Sequence, residues 1–455
     1  MQPISAPKRS VLRRPADART IVCLLLLVLA ASEFVVRGPA RAIRTGDSFN
    51  DFLSPYIQAK ALVHRLDPYS PEVLLRLWPA EAAHFSFLPR EVANGTLVAN
   101  RGFPTAYPIT ALVLLAPFTV LPWNIASWLW FAANLLLYAI MVRAVLELAG
   151  FSYLKPSGIL LIAATLALAP FHTGLAAGNP TVIAVELSVI GLWQAQLEND
   201  TIAAILFAIS AGLKPQIGLI FLFYYLLRKR RRLIVTAAVL LGFMGAVGLL
   251  WLQSNHVPWF ENYARDNRIL FETGKLGNFT AINPIRFGLI NLQVALYPLI
   301  NNMEWTNDIA RTAGAILLIG WQVGFVLARE HADCELLELG ALSVSSLLPI
   351  YHRFYDASLL ILPLCWAFVS LRKTGGRMRK VAAAALLLMT PFLIPGGTIL
   401  ETLQGNGRFP VSLTNRAWWQ AFVMAHQVWA LLLLSLLLLS EMFAQRRVLR
   451  LPIEN

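Results

Sequence analysis

TIVCLLLLVLAASEFVV, residues 20–36, carries one charged side chain, Glu33, in a run long enough to cross the hydrocarbon layer of a bilayer as a helix. Lys8, Arg9, Arg13, Arg14 and Arg19 precede it. A basic start followed by an apolar run also describes a secretory signal. This run, however, continues to Val36 without a convincing small-x-small cleavage site, which favours an uncleaved first span. Basic residues stay on the cytoplasmic side, so residues 1–19 are expected inside and 37–107 outside, as a long first outer loop.

The rest of the chain repeats the pattern. Of 455 residues, 57% are hydrophobic and 14% charged, too apolar for a soluble protein. Apolar segments recur to the C-terminus, and the expected fold is an all-α polytopic membrane protein with about 11–13 transmembrane helices. The net charge of +13 gathers at span ends, Arg228–Arg232, Arg372 to Lys380 and Arg446 to Arg450, rather than on a solvated surface of the kind that binds nucleic acid. Alternation from the Arg228 cluster gives a second outer loop at 253–307, a third at 396–418 and a cytoplasmic tail at 442–455, all within one membrane domain spanning 1–455. Between the first loop and Arg228, six apolar segments stand where an odd number is needed. Ile109 to Leu121, short and bounded by Pro108 and Pro122, is therefore expected to dip and return. The turns at Gly178-Asn179-Pro180 and Lys214-Pro215 then fall outside. Cys23, Cys334 and Cys365 offer no disulfide pair in an outer loop.

The first outer loop opens with GDSFNDFLSPYIQAKALVHRLDPYSP, residues 46–71. Ser54-Pro55 reads as an N-cap and first helical position. Tyr56, Ala59, Val63 and Leu66 then recur at helical spacing opposite Gln58, Lys60 and Arg65, an amphipathic helix lying on the membrane surface. A second short helix is expected after Ser70-Pro71-Glu72, with Val73, Leu74, Leu77 and Trp78 on one side. Asp51, just ahead of the first helix, is placed as a general base; its alternative is an acid favouring a helix N-terminus. Lys214 at a broken helix suits an anion, or is a lysine reaching for the interface. Tyr351-His352-Arg353-Phe354-Tyr355-Asp356 packs donors and a carboxylate into one boundary turn, and otherwise reads as an interfacial aromatic belt. Glu186, inside an apolar segment, is expected to be paired to a neighbouring helix or protonated. No histidine grouping has metal-ligand spacing, no nucleotide cradle is present, and neither a metal nor another cofactor is expected.

These residues are similar to those of glycosyltransferase family 87, the polyprenyl-phosphate-mannose-dependent enzymes of GT-C architecture. The likeness runs in order through Asp51-Phe52, Tyr56, Ala59 to Leu62, Asp67-Pro68-Tyr69-Ser70-Pro71, Phe103 to Pro108, Gly178-Asn179, Lys214-Pro215 and Tyr351-His352 with Tyr355-Asp356. Pro55 stands where the family often has tyrosine, and Asn179 where it usually has glutamine. The resemblance implies a GT-C fold, Asp51 as catalytic base, His352 in the active site near the donor phosphate, and Lys214 in the donor site. Arg353 joins the phosphate site by charge, while Tyr56, Asn179, Tyr351 and Asp356 are expected to bind substrate. The implied partners are a polyprenyl-phosphate sugar, a glycan or glycolipid acceptor and membrane lipid, at a bacterial inner membrane with the active site facing the periplasm or cell exterior. A flippase or transporter of a lipid-linked glycan, and a polysaccharide ligase, are the alternatives.

Overall fold

A computed structural model describes residues 18–44, 49–82, 107–272, 277–283, 285–327, 335–372 and 376–449. His84, Phe103 to Ala106, Cys334 and Lys373 lie outside them. The described residues are helical apart from loops and one isolated bridge between Leu289 and Arg353. In chain order the principal helices are α1 (Ala18–Arg37), α2 (Asn50–Val63), α3 (Ile109–Leu115), α4 (Trp123–Ala149), α5 (Pro156–Ala167) and α6 (Ala169–Ala177). Next come α7 (Pro180–Gln196), α8 (Asp200–Leu213), α9 (Pro215–Leu227), α10 (Arg231–Ser254), α11 (Trp259–Ile269) and α12 (Met303–Leu327). The last are α13 (Glu335–Ser346), α14 (Ile361–Arg372), α15 (Gly376–Met389), α16 (Gly396–Gly405) and α17 (His426–Leu449).

Among these residues, 7 helices have the length and apolarity to cross a membrane, and α5 with α6, bent by 48°, can make an eighth. This is a multi-pass membrane protein. The sequence count was higher because it included α7, α8, α9 and α13, which fold as helices of 17, 14, 13 and 12 residues. Ile109 to Leu121 forms seven α-helical residues and a five-residue 3₁₀ turn, short of the 17 or so a crossing needs. The segment expected as a third outer loop at 396–418 begins with α16, continuous with the apolar α15 stretch.

The first loop differs from its expected form. Helix α2 starts at Asn50, and Pro55 lies inside it, so Ser54-Pro55 is not its beginning. Nor does α2 lie on a surface. Gln58, placed on the polar face by spacing, is 0% exposed, whereas Val63 is 44% exposed. Aromatic residues from α4 explain the burial: Phe52 stacks on Trp130 at 4.5 Å, and Tyr56 meets Trp123 edge-on at 5.3 Å. The Tyr56 hydroxyl donates to the Leu121 carbonyl at 2.8 Å, tying α2 to the turn after α3. The second short helix is present at Pro71–Arg76, with Ser70 Oγ accepting from Val73 N.

The helices run between two ends. At one end lie Gly150, the 196–200 turn, Arg228, Arg230, Glu335, Glu338 and Arg372, linked by Gln196 to Glu335, Arg230 to Asp200, Arg228 to Glu338, and Arg372 to the Gly150 carbonyl. From there α8 and α13 rise to the other end, and α4, α7, α9 and α14 descend from it. Helices α8 and α9 are about 20 Å long, and α10 beside them about 36 Å. Gly212 at the tip of the α8–α9 hairpin packs near Met244, and α10 continues ten residues further to Ser254. The tip of the hairpin is therefore recessed, roughly 15 Å below the end of its neighbour.

Candidate active site

The turn between α6 and α7 anchors the upper end. Gly178 is in the left-handed region at φ 68°, and a β-carbon there would lie 3.1 Å from Phe49 Cα and 3.2 Å from Phe52 Cβ. Only glycine serves both the turn and the close approach of α2. Phe49, itself at φ 62°, donates its backbone N–H to the Ala176 carbonyl at 3.3 Å, and Trp130 Nε1 donates to the Gly178 carbonyl at 2.9 Å. These contacts bring the first turn of α2 against the start of α7.

Asn179 is the N-cap of α7. Its Oδ1 accepts from Thr181 N at 2.9 Å, which fixes the amide so that Nδ2 points outward. That Nδ2 donates to Asp51 Oδ2 at 2.8 Å. The expectation that Asp51 precedes the helix needs a small correction, since it is the second residue of α2, half-buried in the first turn. A carboxylate suits that position near the positive end of the helix.

The 351–356 turn closes from the other side. The Ile290 N–H donates to the His352 carbonyl at 3.0 Å and the Leu289–Arg353 bridge adjoins it, so residues 351–353 run extended along 289–290. Asp356 then folds back. Its Oδ2 accepts from Arg353 N at 2.9 Å and lies 3.1 Å from His352 Nδ1, while Oδ1 accepts from the Thr181 hydroxyl at 2.7 Å. His352 is 0% exposed, and its Nε2 has no hydrogen-bond partner among the described residues. Burial pushes the Tyr351 phenol up to about 12, with Arg353 opposing, so Tyr351 is a hydrogen-bond donor at neutral pH. Burial also works against the Arg353 charge, but Tyr355, Tyr351 and Asp51 outweigh it and hold the guanidinium above the ordinary arginine value.

Lys214 occupies the break between α8 and α9. Its N–H donates to Ser210 O at 2.8 Å, and the adjoining Gly212 carbonyl accepts from Thr110 Oγ1 at 2.9 Å, so the start of α3 braces the tip of the hairpin. Lys214 Nζ lies 5.8 Å from the centre of the Tyr107 ring, within cation–π range, and makes no ion pair among the described residues. Asp51 and Asp356 both act electrostatically on Tyr107, and Lys214 acts on Asp356.

The structure thus brings Asp51, Asn179, Lys214, Tyr351, His352, Arg353 and Asp356 to one end of the bundle. Tyr56 is different. It is 1% exposed with its hydroxyl engaged at Leu121, so it braces α2 rather than facing a substrate. Glu186 is fully buried with no hydrogen-bond partner on either oxygen among the described residues, so the expected pairing to a neighbouring helix is not seen. Thr181 escaped the sequence reading; an N-capping Asn followed by Pro and Thr was the available signal, because it puts a hydroxyl in the first turn of α7. Tyr107, the aromatic partner of Lys214, lies in the family-like stretch Phe103 to Pro108, where the sequence reading gives it no role.

A protein-family model described as glycosyltransferase family 87 matches residues 105–363. That range holds every residue of this cluster except Asp51. No curated protein and no solved structure matches the chain.

Proposed function

Because the chain belongs to glycosyltransferase family 87, we propose that it moves a sugar, mannose foremost, from a polyprenyl-phosphate donor to a glycan or glycolipid acceptor, with inversion. The observation carrying this reading is the meeting of one carboxylate, Asp51, with the cations Lys214 and Arg353 and the buried imidazole of His352 at the bundle end away from Arg228 and Arg372. The acceptor oxygen attacks the anomeric carbon as Asp51 takes its proton, and the bond from that carbon to the phosphate oxygen breaks. The electron pair departs on the phosphate. Lys214, His352 and Arg353 stabilise the anion, so the leaving group needs charge stabilisation more than a proton. A single displacement of this kind uses one base and inverts the centre. Asn179 holds one oxygen of Asp51 and leaves the other for the acceptor hydroxyl.

The basic clusters gather at the opposite end, which supports a reading with that end in the cytoplasm and the site on the outer face of a bacterial inner membrane. Within it, residues 1–19 and 442–455 are cytoplasmic, and residues 37–107 and 253–307 cover the outer end. With the native cysteines replaced, Ile350→Cys, 51% exposed at the site end, should react with an impermeant maleimide in intact spheroplasts. Gly376→Cys, in open space, should react only after disruption. The reverse pattern would invert the topology.

The direct test incubates the purified full chain with polyprenyl-phosphate mannose, arabinose and glucose in the presence of membrane glycolipid extract. Consumption of the mannose donor, with product of inverted anomeric configuration, is expected. Retention of configuration would rule out the single displacement, and indifference to all three donors would rule out the donor class.

A further inference from the structure

The two halves of the cluster are joined through one residue. Thr181 donates its backbone N–H to Asn179 Oδ1 at 2.9 Å, and Asn179 donates to Asp51 Oδ2 at 2.8 Å. The same residue donates its hydroxyl to Asp356 Oδ1 at 2.7 Å, and the other oxygen of Asp356 lies 3.1 Å from His352 Nδ1. Thr181 is 0% exposed, Asn179 2%, Asp356 1% and His352 0%. At this burial, loss of any one of these bonds leaves a polar atom out of reach of bulk solvent.

We propose that Thr181 is a positioning residue of the transfer reaction, holding Asp356 so that His352 keeps its proton on Nδ1 and presents Nε2 to the phosphate. The inference rests on the function proposed above. Three donors converge on Asp356, the Thr181 hydroxyl on Oδ1 and the Arg353 N–H with the imidazole on Oδ2, so the carboxylate acts as acceptor to all of them. An accepting carboxylate at Nδ1 fixes the tautomer, as it does for catalytic and metal-bound histidines generally. Among the described residues, Nε2 is the ring nitrogen of His352 left without a partner. Without the Thr181 hydroxyl, the hydrogen bonds left to Asp356 among the described residues come only from its own turn, so packing alone would hold the carboxylate against α7. Thr181 also carries the link to Asp51 through its backbone, so a side-chain change separates the His352 half from the Asp51 half.

The full chain labelled with ¹⁵N-histidine in detergent carries seven histidines, and a His352→Gln spectrum identifies the signal of His352. The wild type should show the Nδ1–H tautomer there. Thr181→Val, which removes the hydroxyl at nearly constant volume, should give a mixed tautomer signal. It should also lower kcat on polyprenyl-phosphate mannose about tenfold, as loss of one buried hydrogen bond allows, with KM little changed. Thr181→Ser should restore both. Asp356→Asn must disturb the same signal from the other side of the bond, which keeps the test open if the valine variant does not fold. A wild-type tautomer signal in either Thr181→Val or Asp356→Asn would overturn the inference, as would an unchanged kcat in Thr181→Val. Failure of the donor reading itself would appear separately, as full turnover in His352→Gln or no donor consumed by the wild type, and would leave the tautomer result to stand on its own.

Discussion

The two ends of the helix bundle treat charge in opposite ways. At the lower end, Glu338 is fully buried against Arg228, with the Tyr224 hydroxyl donating to the same oxygen at 2.8 Å, and Arg230 is paired with Asp200. Every cation named there has a carboxylate or a carbonyl. At the upper end, the carboxylates Asp51 and Asp356 take their hydrogen bonds from an amide, a hydroxyl, a backbone N–H and an imidazole, and from no lysine or arginine side chain among the described residues. Lys214 and Arg353 are left without a carboxylate partner among the described residues. Ion pairs that neutralise each other hold helices in register. Cations whose natural partners are already satisfied by other donors remain able to receive an anion from outside.

The sharpest way to break this contrast is at Asp51. Asp51→Asn keeps the shape and the neighbourhood of Asn179 but removes the proton acceptor. It should lower turnover about a hundredfold or more without reducing the yield of folded protein, as general-base losses do. Near-normal turnover of the purified variant would make Asp51 only a first-turn acid of α2.

At the lower end the same kind of change should do the reverse. Glu338→Gln leaves Arg228 without its carboxylate in a buried setting and should cost about 3 kcal/mol of stability, read as a lower thermal midpoint in detergent. The fraction that remains folded should turn over normally. A loss of turnover with an unchanged midpoint would erase the distinction between the two ends.

The smallest effect sharpens the role of the free cation. Lys214→Ala should weaken binding of a non-hydrolysable donor analogue by roughly tenfold, the scale of one charge-assisted contact, whereas Lys60→Ala on α2 should leave it alone. Equal affinity in both variants would take Lys214 out of the donor site.

Much of this contrast is legible in the sequence. A lysine ahead of a proline between apolar helices, an Asn-Pro turn after glycine, and His, Arg and Asp crowded into six residues all announce themselves as costs inside a membrane. The parity of the basic clusters, with Ile109 to Leu121 too short to cross, also puts those turns at one end, where the structure has them. What periodicity could not reveal was the cover over α2. Its alternation of Tyr56 and Ala59 with Gln58 and Lys60 describes a helix with two faces, and segments some fifty to eighty residues away, α3 with the turn after it and Trp123 and Trp130 of α4, decide that Gln58 is enclosed as well. Thr181 was hidden for a related reason: a threonine in a first helical turn is ordinary, and its partner Asp356 lies 175 positions further on.

The shortness of α8 and α9 has a consequence for the lipid around them. Ile202 and Ile205 on α8, and Leu219, Phe223 and Leu226 on α9, face outward, so this hairpin is part of the wall the bilayer wets. Its helices are about 20 Å long against a hydrocarbon thickness of about 30 Å, a hydrophobic mismatch that the membrane relieves by thinning next to them. Such thinning would bring the headgroups on that flank lower than beside the 24-residue α10. A lipid phosphate approaching Lys214 from a flank thinned in this way would have a shorter distance to descend, the cost of thinning having been met at the protein's wall.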